Sequence, residues 1–436
     1  MDPREELDRV WRRTDALFAL LEPAALFDQP IALRQPVIFY VGHLPAFAWN
    51  QIARGLRSAG GLDAHKDDLF ARGIDPVDTD AYAAARPEDW PSPAATLAYR
   101  DDVRARLRDL AGTLDPERDP DRAVLHTVLE HERMHHETLL YMFQQLPADR
   151  KRVPADPPAP AGASASARIA IPAGTATLGA AGDVPFAWDN ERAQHEVLVP
   201  AFAIDALPVT NADFRGFVDA GGYRERELWN AEGWAWCSRR GLVRPHGWLL
   251  RDGRPWQRTL ADAVPWDDAA AWPASVSHAE ASAYARWRGA RLPTEAEFHR
   301  AAYGAPDGTE RAFPWGDDAP TPAHGNFGLR RFDPTPVGAF PAGASAWGVH
   351  DLAGNGWEWT STPFAPFPGF APMPHYAGYS ADFFDGRHFV LKGASWATDE
   401  VFLRRSFRNW FQPHYPYVFS KFRCVHPASG GGRSTR

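Results

Sequence analysis

The stretch DPDRAVLHTVLEHERMHHETLLYMFQQL, residues 119–146, decides the fold of the first part of the chain. Its apolar residues recur at the spacing of an amphipathic helix, with an Asp expected at the N-cap. His131 and His135 lie one turn apart on the apolar stripe of this helix, so both imidazoles point in one direction, as metal ligation requires. The stripe consists of Val124, Val128, His131, His135, Leu139 and Met142.

Two other interpretations of this helix stay open at this point. Residues 131–135, HERMH, match the HExxH signature of zinc proteases, in which Glu132 would act as the general base. Such short matches are common by chance, and we assign Glu132 no catalytic role. A polar helix with hydrogen-bonded core histidines would bind no metal at all. His136 falls off the apolar stripe and is not expected to be a ligand.

A third ligand is expected from upstream, because His43 is a polar residue within the apolar segment FYVGHLPAFAW, residues 39–49. A buried imidazole needs a polar partner or a metal. Together with His131 and His135 it would form a three-histidine site with open positions. Such a site suits Zn, Fe or Cu, and the spacing does not choose among them.

The domain organisation follows from a change in sequence texture. Residues 1–150 contain four helical segments, which predict an antiparallel four-helix bundle. Residues 151–167 are rich in Pro, Ala and Ser and indicate a linker. Residues 168–428 combine short alternating strands, Gly and Pro turns and one clear helix near residues 277–290, which predicts an α+β domain. Residues 429–436 are expected to be a disordered tail.

Composition limits the classes of partner. The net charge of −8 argues against nucleic acid. We find no run of 18 apolar residues and no signal-peptide pattern, so we expect no membrane partner and a cytoplasmic location. Cys237 and Cys424 cannot build a disulfide scaffold and are expected to be free core residues. The oligomeric state is not indicated.

Several motifs after residue 168 resemble those of formylglycine-generating enzymes. The resemblance implies a C-type-lectin-like α+β fold for this part of the chain. The motifs include NERAQHEVLVPAFAIDALPVTN from residue 190, RLPTEAEFHRAA from residue 291 and DLAGNGWEWT from residue 351. Those enzymes bind copper through a cysteine pair near the C-terminal end, where this chain has RRSFRNWF from residue 404 and no such pair. Formylglycine formation is therefore not expected here.

The helical segments joined to this second domain are similar to those of the ergothioneine sulfoxide synthases, whose helical domain is DinB-like. The resemblance covers nearly the whole chain and includes the HxxxHxE spacing of His131, His135 and Glu137. It implies Fe(II) bound by His43, His131 and His135. It also implies an O2-dependent reaction that joins the sulfur of a thiol to the imidazole of hercynine, which is trimethylated histidine, and gives a sulfoxide.

Substrate-binding residues are carried over motif by motif. The FRNW segment implies that Asn409 and Trp410 contact hercynine, whose trimethylammonium group suits aromatic faces. Relatives that use γ-glutamylcysteine have Asp at the next position, where this chain has Phe411. The substitution favours free cysteine as the thiol. The family's Gln beside the second iron ligand corresponds to Met134, so a hydrogen bond from that side chain is not expected.

Two tyrosines are candidates for the catalytic proton donor. The Tyr-x-x-Tyr-Ser motif places Tyr376 at the catalytic position and Tyr379 beside hercynine. In the cysteine-using branch the catalytic tyrosine comes from the helical domain, which indicates Tyr82 instead. Arg86 is a candidate for binding a substrate carboxylate. The relatives also point to a structural Ca2+ ion in the second domain.

Two alternative functions remain. The same fold could act on another substrate pair, with γ-glutamylcysteine or a selenosugar replacing cysteine, or histidine replacing hercynine. It could also be a non-catalytic ligand-binding module, in which case the three histidines would be dispensable for its function.

Overall fold

The computed structural model describes residues 2–73, 87–162, 167–182 and 184–427. Tyr82, Arg86 and the tail at 429–436 lie outside these ranges. The chain forms two compact units. The first comprises Met1–Pro154 and Leu260–Asp262, and the second comprises Ala155–Thr259 and Ala263–Arg436.

The described part of the first unit contains five α-helices, one more than the sequence indicated. The additional helix, α3, has seven residues, too few for a clear apolar period. α1 packs against α5, and α2 packs against α3 and α4. The five helices are α1 (Pro3–Phe18), α2 (Val37–Trp49), α3 (Ala64–Phe70), α4 (Pro93–Ala111) and α5 (Asp121–Gln145).

The ends of these helices follow from local chemistry, with one correction to the sequence analysis. Ser92 caps α4 by accepting a hydrogen bond from the backbone N–H of Ala95 at 3.2 Å. α5 has no side-chain cap, because Pro120 occupies its N-cap position. Asp121 instead lies in the first turn and forms a salt bridge of 2.7 Å with Arg57. The expectation of an Asp N-cap was therefore wrong.

The described part of the second unit combines short strands with five α-helices, where the sequence analysis identified one. The helices are α6 (Asn211–Asp219), α7 (Ala231–Arg240), α8 (Trp266–Ala269), α9 (His278–Trp287) and α10 (Glu295–Tyr303). The strands are β1 (Arg168–Ile171), β2 (Gly174–Leu178), β3 (His195–Val199), β4 (Phe202–Asp205), β5 (Trp248–Arg251), β6 (Arg254–Arg258), β7 (Ala263–Pro265), β8 (Gly356–Pro363), β9 (Phe389–Ala394), β10 (Asn409–Phe411), β11 (Ser420–Lys421) and β12 (Val425–Pro427).

Four small sheets organise these strands. The largest has the order β10-β9-β8-β11, in which only β11 runs parallel to its neighbour. The others are β1-β4-β12, the β2-β3 pair and β5-β6-β7. A buried core joins the β1-β4-β12 sheet to α10. It includes Ile171, Ile204 and Val425 of the sheet and Phe298 of the helix.

Two further findings concern the cysteines and the apolar character of the helices. Cys237 and Cys424 are both buried free thiols, as expected. None of the helices in the described ranges is long and apolar enough to cross a lipid bilayer.

Candidate metal centre and aromatic cluster

Three histidines of the first unit converge in its interior. α5 carries His131 and His135 one turn apart, and α2 contributes His43. All three are buried, and one ring nitrogen of each lies within 4.8 Å of the others. The Nε2 atoms of His131 and His135 are 3.2 Å apart. Within the described residues, this is the group of His, Cys, Asp and Glu side chains that could share one metal ion.

The orientation of the His43 ring is set by a backbone carbonyl. Its Nδ1 lies 2.8 Å from the carbonyl oxygen of Phe70 at the end of α3, and therefore donates its hydrogen there. Nε2 then carries a lone pair, and it is buried with no hydrogen-bond partner among the described residues. A buried acceptor facing two other imidazoles is the arrangement that a metal ion would satisfy.

The environment of the triad keeps its imidazoles neutral, which is the form that binds metal. Burial lowers the pKa of His43 to about 4, despite the hydrogen bond to Phe70. Burial, followed by the proximity of neighbouring histidines, places the pKa values of His131 and His135 well below the usual range. Three neutral nitrogen donors fit a divalent transition metal with open positions.

Aromatic rings surround the triad. The Phe47 ring stacks on His131 with ring centroids 3.5 Å apart, and Phe39 stacks on His43 at 4.8 Å. These contacts hold two of the three imidazole rings and make the surroundings apolar. Met134, immediately before His135, is half-buried.

A different network lies on the side of α5 that contacts α1. Thr14 of α1 donates a hydrogen bond to Glu132 at 2.5 Å, and its hydroxyl is 2.9 Å from Nε2 of His136. Arg104 of α4 lies 3.7 Å from Glu132. Burial raises the pKa of Glu132, with Arg104 acting in the opposite direction. Glu132 and His136 thus connect α5 to α1, and neither belongs to the triad.

The second unit brings three of the predicted site residues together. Trp410 meets Tyr379 edge to face at a centroid distance of 5.4 Å, and Tyr376 lies 5.6 Å from Tyr379. Two residues that the sequence analysis missed complete this aromatic cluster. Trp188 stacks on Tyr379 at 3.9 Å, and Phe364 stacks on Trp410 at 4.2 Å. Tyr379 is buried and Tyr376 is half-buried.

Asn409 and Phe411 flank Trp410 on β10, which pairs with β9. Since successive side chains of a strand point to opposite faces, these two lie on the other face from Trp410. Phe411 stacks on Tyr415 with ring centroids 5.2 Å apart and an interplanar angle of 13°. The predicted hercynine contacts Asn409 and Trp410 therefore belong to different faces of one strand.

Comparison with known proteins supports both parts of the chain. Residues 6–139 match the DinB superfamily, and residues 154–428 match the sulfatase-modifying factor enzyme 1-like domain. The predicted α+β fold, with a DinB-like helical domain and a formylglycine-generating-enzyme-like domain, is therefore confirmed.

Relatives match this chain across the boundary between the two domains. A hercynine oxygenase of Mycolicibacterium thermoresistibile is 42% identical over 345 residues, which cover 77% of this chain and 75% of that protein. The hercynine oxygenase of Mycolicibacterium smegmatis is 42% identical over 342 residues, covering 76% and 78% respectively. Ergothioneine biosynthesis protein 1 of Neurospora crassa is 29% identical over 517 positions, covering 97% of this chain and 57% of that protein. With this domain composition and this similarity, the chain belongs to the ergothioneine sulfoxide synthase family.

Proposed function

We propose that this protein is an O2-dependent oxidoreductase of ergothioneine biosynthesis that uses non-haem Fe(II). Its substrates are hercynine and cysteine, and its product is hercynyl-cysteine sulfoxide. One C–H and one S–H bond are broken and one C–S bond forms. One oxygen atom of O2 enters the sulfoxide and the other leaves as water, so the four electrons removed from the substrates match those that O2 accepts.

The observation that carries this proposal is the buried triad of neutral imidazoles. His43 would bind the metal through Nε2, because its Nδ1 donates to the carbonyl oxygen of Phe70. His131 and His135 would supply the other two nitrogen ligands. When bound, Fe(II) supplies the redox chemistry with O2 that allows sulfur to be oxidised and joined to the imidazole carbon.

The aromatic cluster is assigned to hercynine. The trimethylammonium group offers no N–H donor, so aromatic faces hold it better than hydrogen-bond acceptors do. Trp410 and Tyr379 would contact this group. The half-buried phenol of Tyr376 is one candidate to deliver a proton during the reaction, and Tyr82 is the other.

The position of Phe411 is assigned to the thiol substrate. Phe411, whose ring stacks on Tyr415, provides no carboxylate to pair with the ammonium of a γ-glutamyl group, which favours free cysteine. Met134 and Arg86 are further proposed substrate contacts. A structural Ca2+ ion in the second unit is a separate prediction that metal analysis of the purified protein would test.

Anaerobic reconstitution tests the function. The protein is loaded with Fe(II), mixed with hercynine and cysteine, and then exposed to a measured amount of O2. We expect hercynine, cysteine and O2 to be consumed in equal amounts, with the coupled sulfoxide detected by mass spectrometry. Parallel reactions with γ-glutamylcysteine, a selenosugar or histidine identify the preferred pair. If none of these reactions consumes O2 or yields a coupled product, the proposal fails.

A further inference from the structure

A short segment of the second unit, Trp188–Glu191, is almost completely excluded from solvent. Its four residues are at most 1% exposed, and two of them are carboxylic acids. Burying two carboxyl groups is costly unless each is hydrogen-bonded or paired with a cation. The partners of Asp189 and Glu191 therefore indicate what the segment holds in place.

Glu191 has the partners of a structural ion pair. Arg404 donates two hydrogen bonds to its carboxylate, at 2.9 and 2.6 Å. Ser406 donates a third at 2.6 Å, and the backbone N–H of Trp188 a fourth at 3.0 Å. Although burial acts in the opposite direction, these interactions hold the pKa of Glu191 below its usual value.

Asp189 has different neighbours, and both belong to the loop that carries the two tyrosines. The Ser380 hydroxyl donates a hydrogen bond to Oδ1 of Asp189, whereas Oδ2 is buried with no hydrogen-bond partner among the described residues. Burial raises the pKa of Asp189, and the nearby hydroxyl of Ser380 and backbone N–H of Met373 act in the opposite direction. Ser380 is itself fully buried. Between Met373 and Ser380 the chain forms two turns. The backbone N–H of Tyr376 donates to the Met373 carbonyl, and that of Tyr379 donates to the Tyr376 carbonyl. Asp189 is thus hydrogen-bonded to the Ser380 end of the loop at residues 373–380, and its Met373 end lies nearby.

Trp188 and Asn190, on either side of Asp189, contact the tyrosines and the residue that precedes β10. The Trp188 ring stacks on Tyr379, and its edge approaches Tyr376 at a centroid distance of 6.5 Å. Arg408, which precedes β10, donates to the carbonyl oxygen of Asn190 at 3.1 Å. The segment is therefore connected both to the tyrosine loop and to the strand that carries Trp410.

We propose that Asp189 is a positioning residue whose carboxyl group fixes the Ser380 end of the loop at residues 373–380. It thereby holds Tyr376 and Tyr379 against Trp188 and Trp410. This inference rests on the proposed function for its effect on hercynine, but the loop contacts themselves can be measured independently. The hydroxyl of Ser380 is the link that a single mild substitution removes.

The chain offers a matched pair of serines for the test. Ser380 and Ser406 are both buried and each donates to one carboxylate of the same segment, but only Ser380 belongs to the tyrosine loop. Hydrogen exchange by mass spectrometry on the full chain should show amides of 373–380 exchanging about tenfold faster or more in S380A and D189A. S406A should leave exchange in that segment at the wild-type rate.

Hercynine binding to the metal-free protein provides the second readout. We expect the Kd to rise about tenfold in S380A. Wild-type exchange at 373–380 in both S380A and D189A, or equal acceleration there in S406A, would overturn the positioning role. If the wild-type protein does not bind hercynine at all, the proposed function fails instead, and the exchange measurements still decide the role of Asp189.

Discussion

The Nδ1 atom of His43 lies 2.8 Å from the carbonyl oxygen of Phe70, and this contact determines which ring nitrogen of His43 can bind a metal. The contact joins α2 to the end of α3 across 27 positions of sequence. Because a carbonyl oxygen only accepts hydrogen bonds, Nδ1 must be the protonated nitrogen and Nε2 the free donor atom. Loss of a ligand and displacement of this carbonyl should therefore both weaken metal binding.

Replacing a triad histidine should abolish tight metal binding. We expect H131A and H135A to lower Fe(II) affinity at least about 100-fold, since even indirect support of a ligand is worth 10–100-fold. Anaerobic equilibrium dialysis measures the affinity. Fe(II) should also raise the Tm of the wild type, because a ligand that binds only the folded state stabilises it. H126A is the control, since His126 lies on the same helix outside the triad. Wild-type affinity in H131A would contradict the site.

Adding a methyl group at Gly42 should disturb the carbonyl that orients His43. A Cβ at Gly42 would lie 2.4 Å from the Phe70 ring, so the buried ring must shift, and we expect the Phe70 backbone to shift with it. We expect G42A to destabilise the first unit by about 1–3 kcal/mol. Fe(II) affinity should fall by about 10–100-fold, as for a disturbed ligand support. Thermal unfolding and metal titration measure the two effects.

The control for this substitution is G60A. A Cβ at the exposed Gly60 would meet nothing within 4 Å. Stability and Fe(II) affinity should therefore stay close to those of the wild type. If G42A bound Fe(II) as tightly as G60A, the Phe70 carbonyl would have no influence on the site.

These two predictions show what the sequence revealed about the metal site and what it did not. The pairing of His131 with His135 follows from helical spacing, and His43 stood out as a polar residue in an apolar segment. The role of Phe70 could not be predicted, since it is a backbone group on a helix too short to show an apolar period.

In the second unit, motif resemblance supplied Tyr376, Tyr379 and Trp410. Trp188 went unnoticed because its contact with Tyr379 depends on folding rather than on local spacing. The placement of Asn409 and Trp410 on opposite faces of β10 also required strand boundaries that short alternating patterns do not define well.

Removing the Trp410 ring should weaken hercynine binding. Loss of a cation–π contact of about 0.5–2 kcal/mol predicts a Kd that is about 2–30-fold higher in W410A, and a smaller change in W410F. Histidine lacks the trimethylammonium group, so its Kd should change less. Isothermal titration measures both ligands. W287F is the control at a partly exposed Trp on α9. An equal change for hercynine and histidine would contradict the assignment.

Introducing a carboxylate at Phe411 should alter the choice of thiol. An Asp at this position would attract the ammonium of γ-glutamylcysteine, so in F411D the ratio of kcat/KM for γ-glutamylcysteine to that for cysteine should rise about tenfold. Steady-state O2 consumption measures both substrates. F411L removes the stacking on Tyr415 without adding charge and should leave the ratio nearly unchanged. The same ratio in both variants would mean that Phe411 does not border the thiol.

The Glu191–Arg404 pair should make the stability of the second unit depend on pH. At pH 7, E191Q should destabilise this unit by about 1–3 kcal/mol, because it leaves the half-buried guanidinium of Arg404 without its counter-charge. The pKa of Glu191 is held below the ordinary value of 4.5 in the folded state. A depressed carboxyl pKa stabilises the fold above the unfolded value, and this contribution declines as pH falls towards the folded pKa. The difference between wild type and E191Q should therefore shrink below about pH 4.5. Urea unfolding at several pH values measures this difference in stability.

The control is E196Q, at an exposed position on β3, which should stay within about 0.5 kcal/mol of the wild type at pH 7. A difference between wild type and E191Q that stays constant down to pH 3 would rule out this titration.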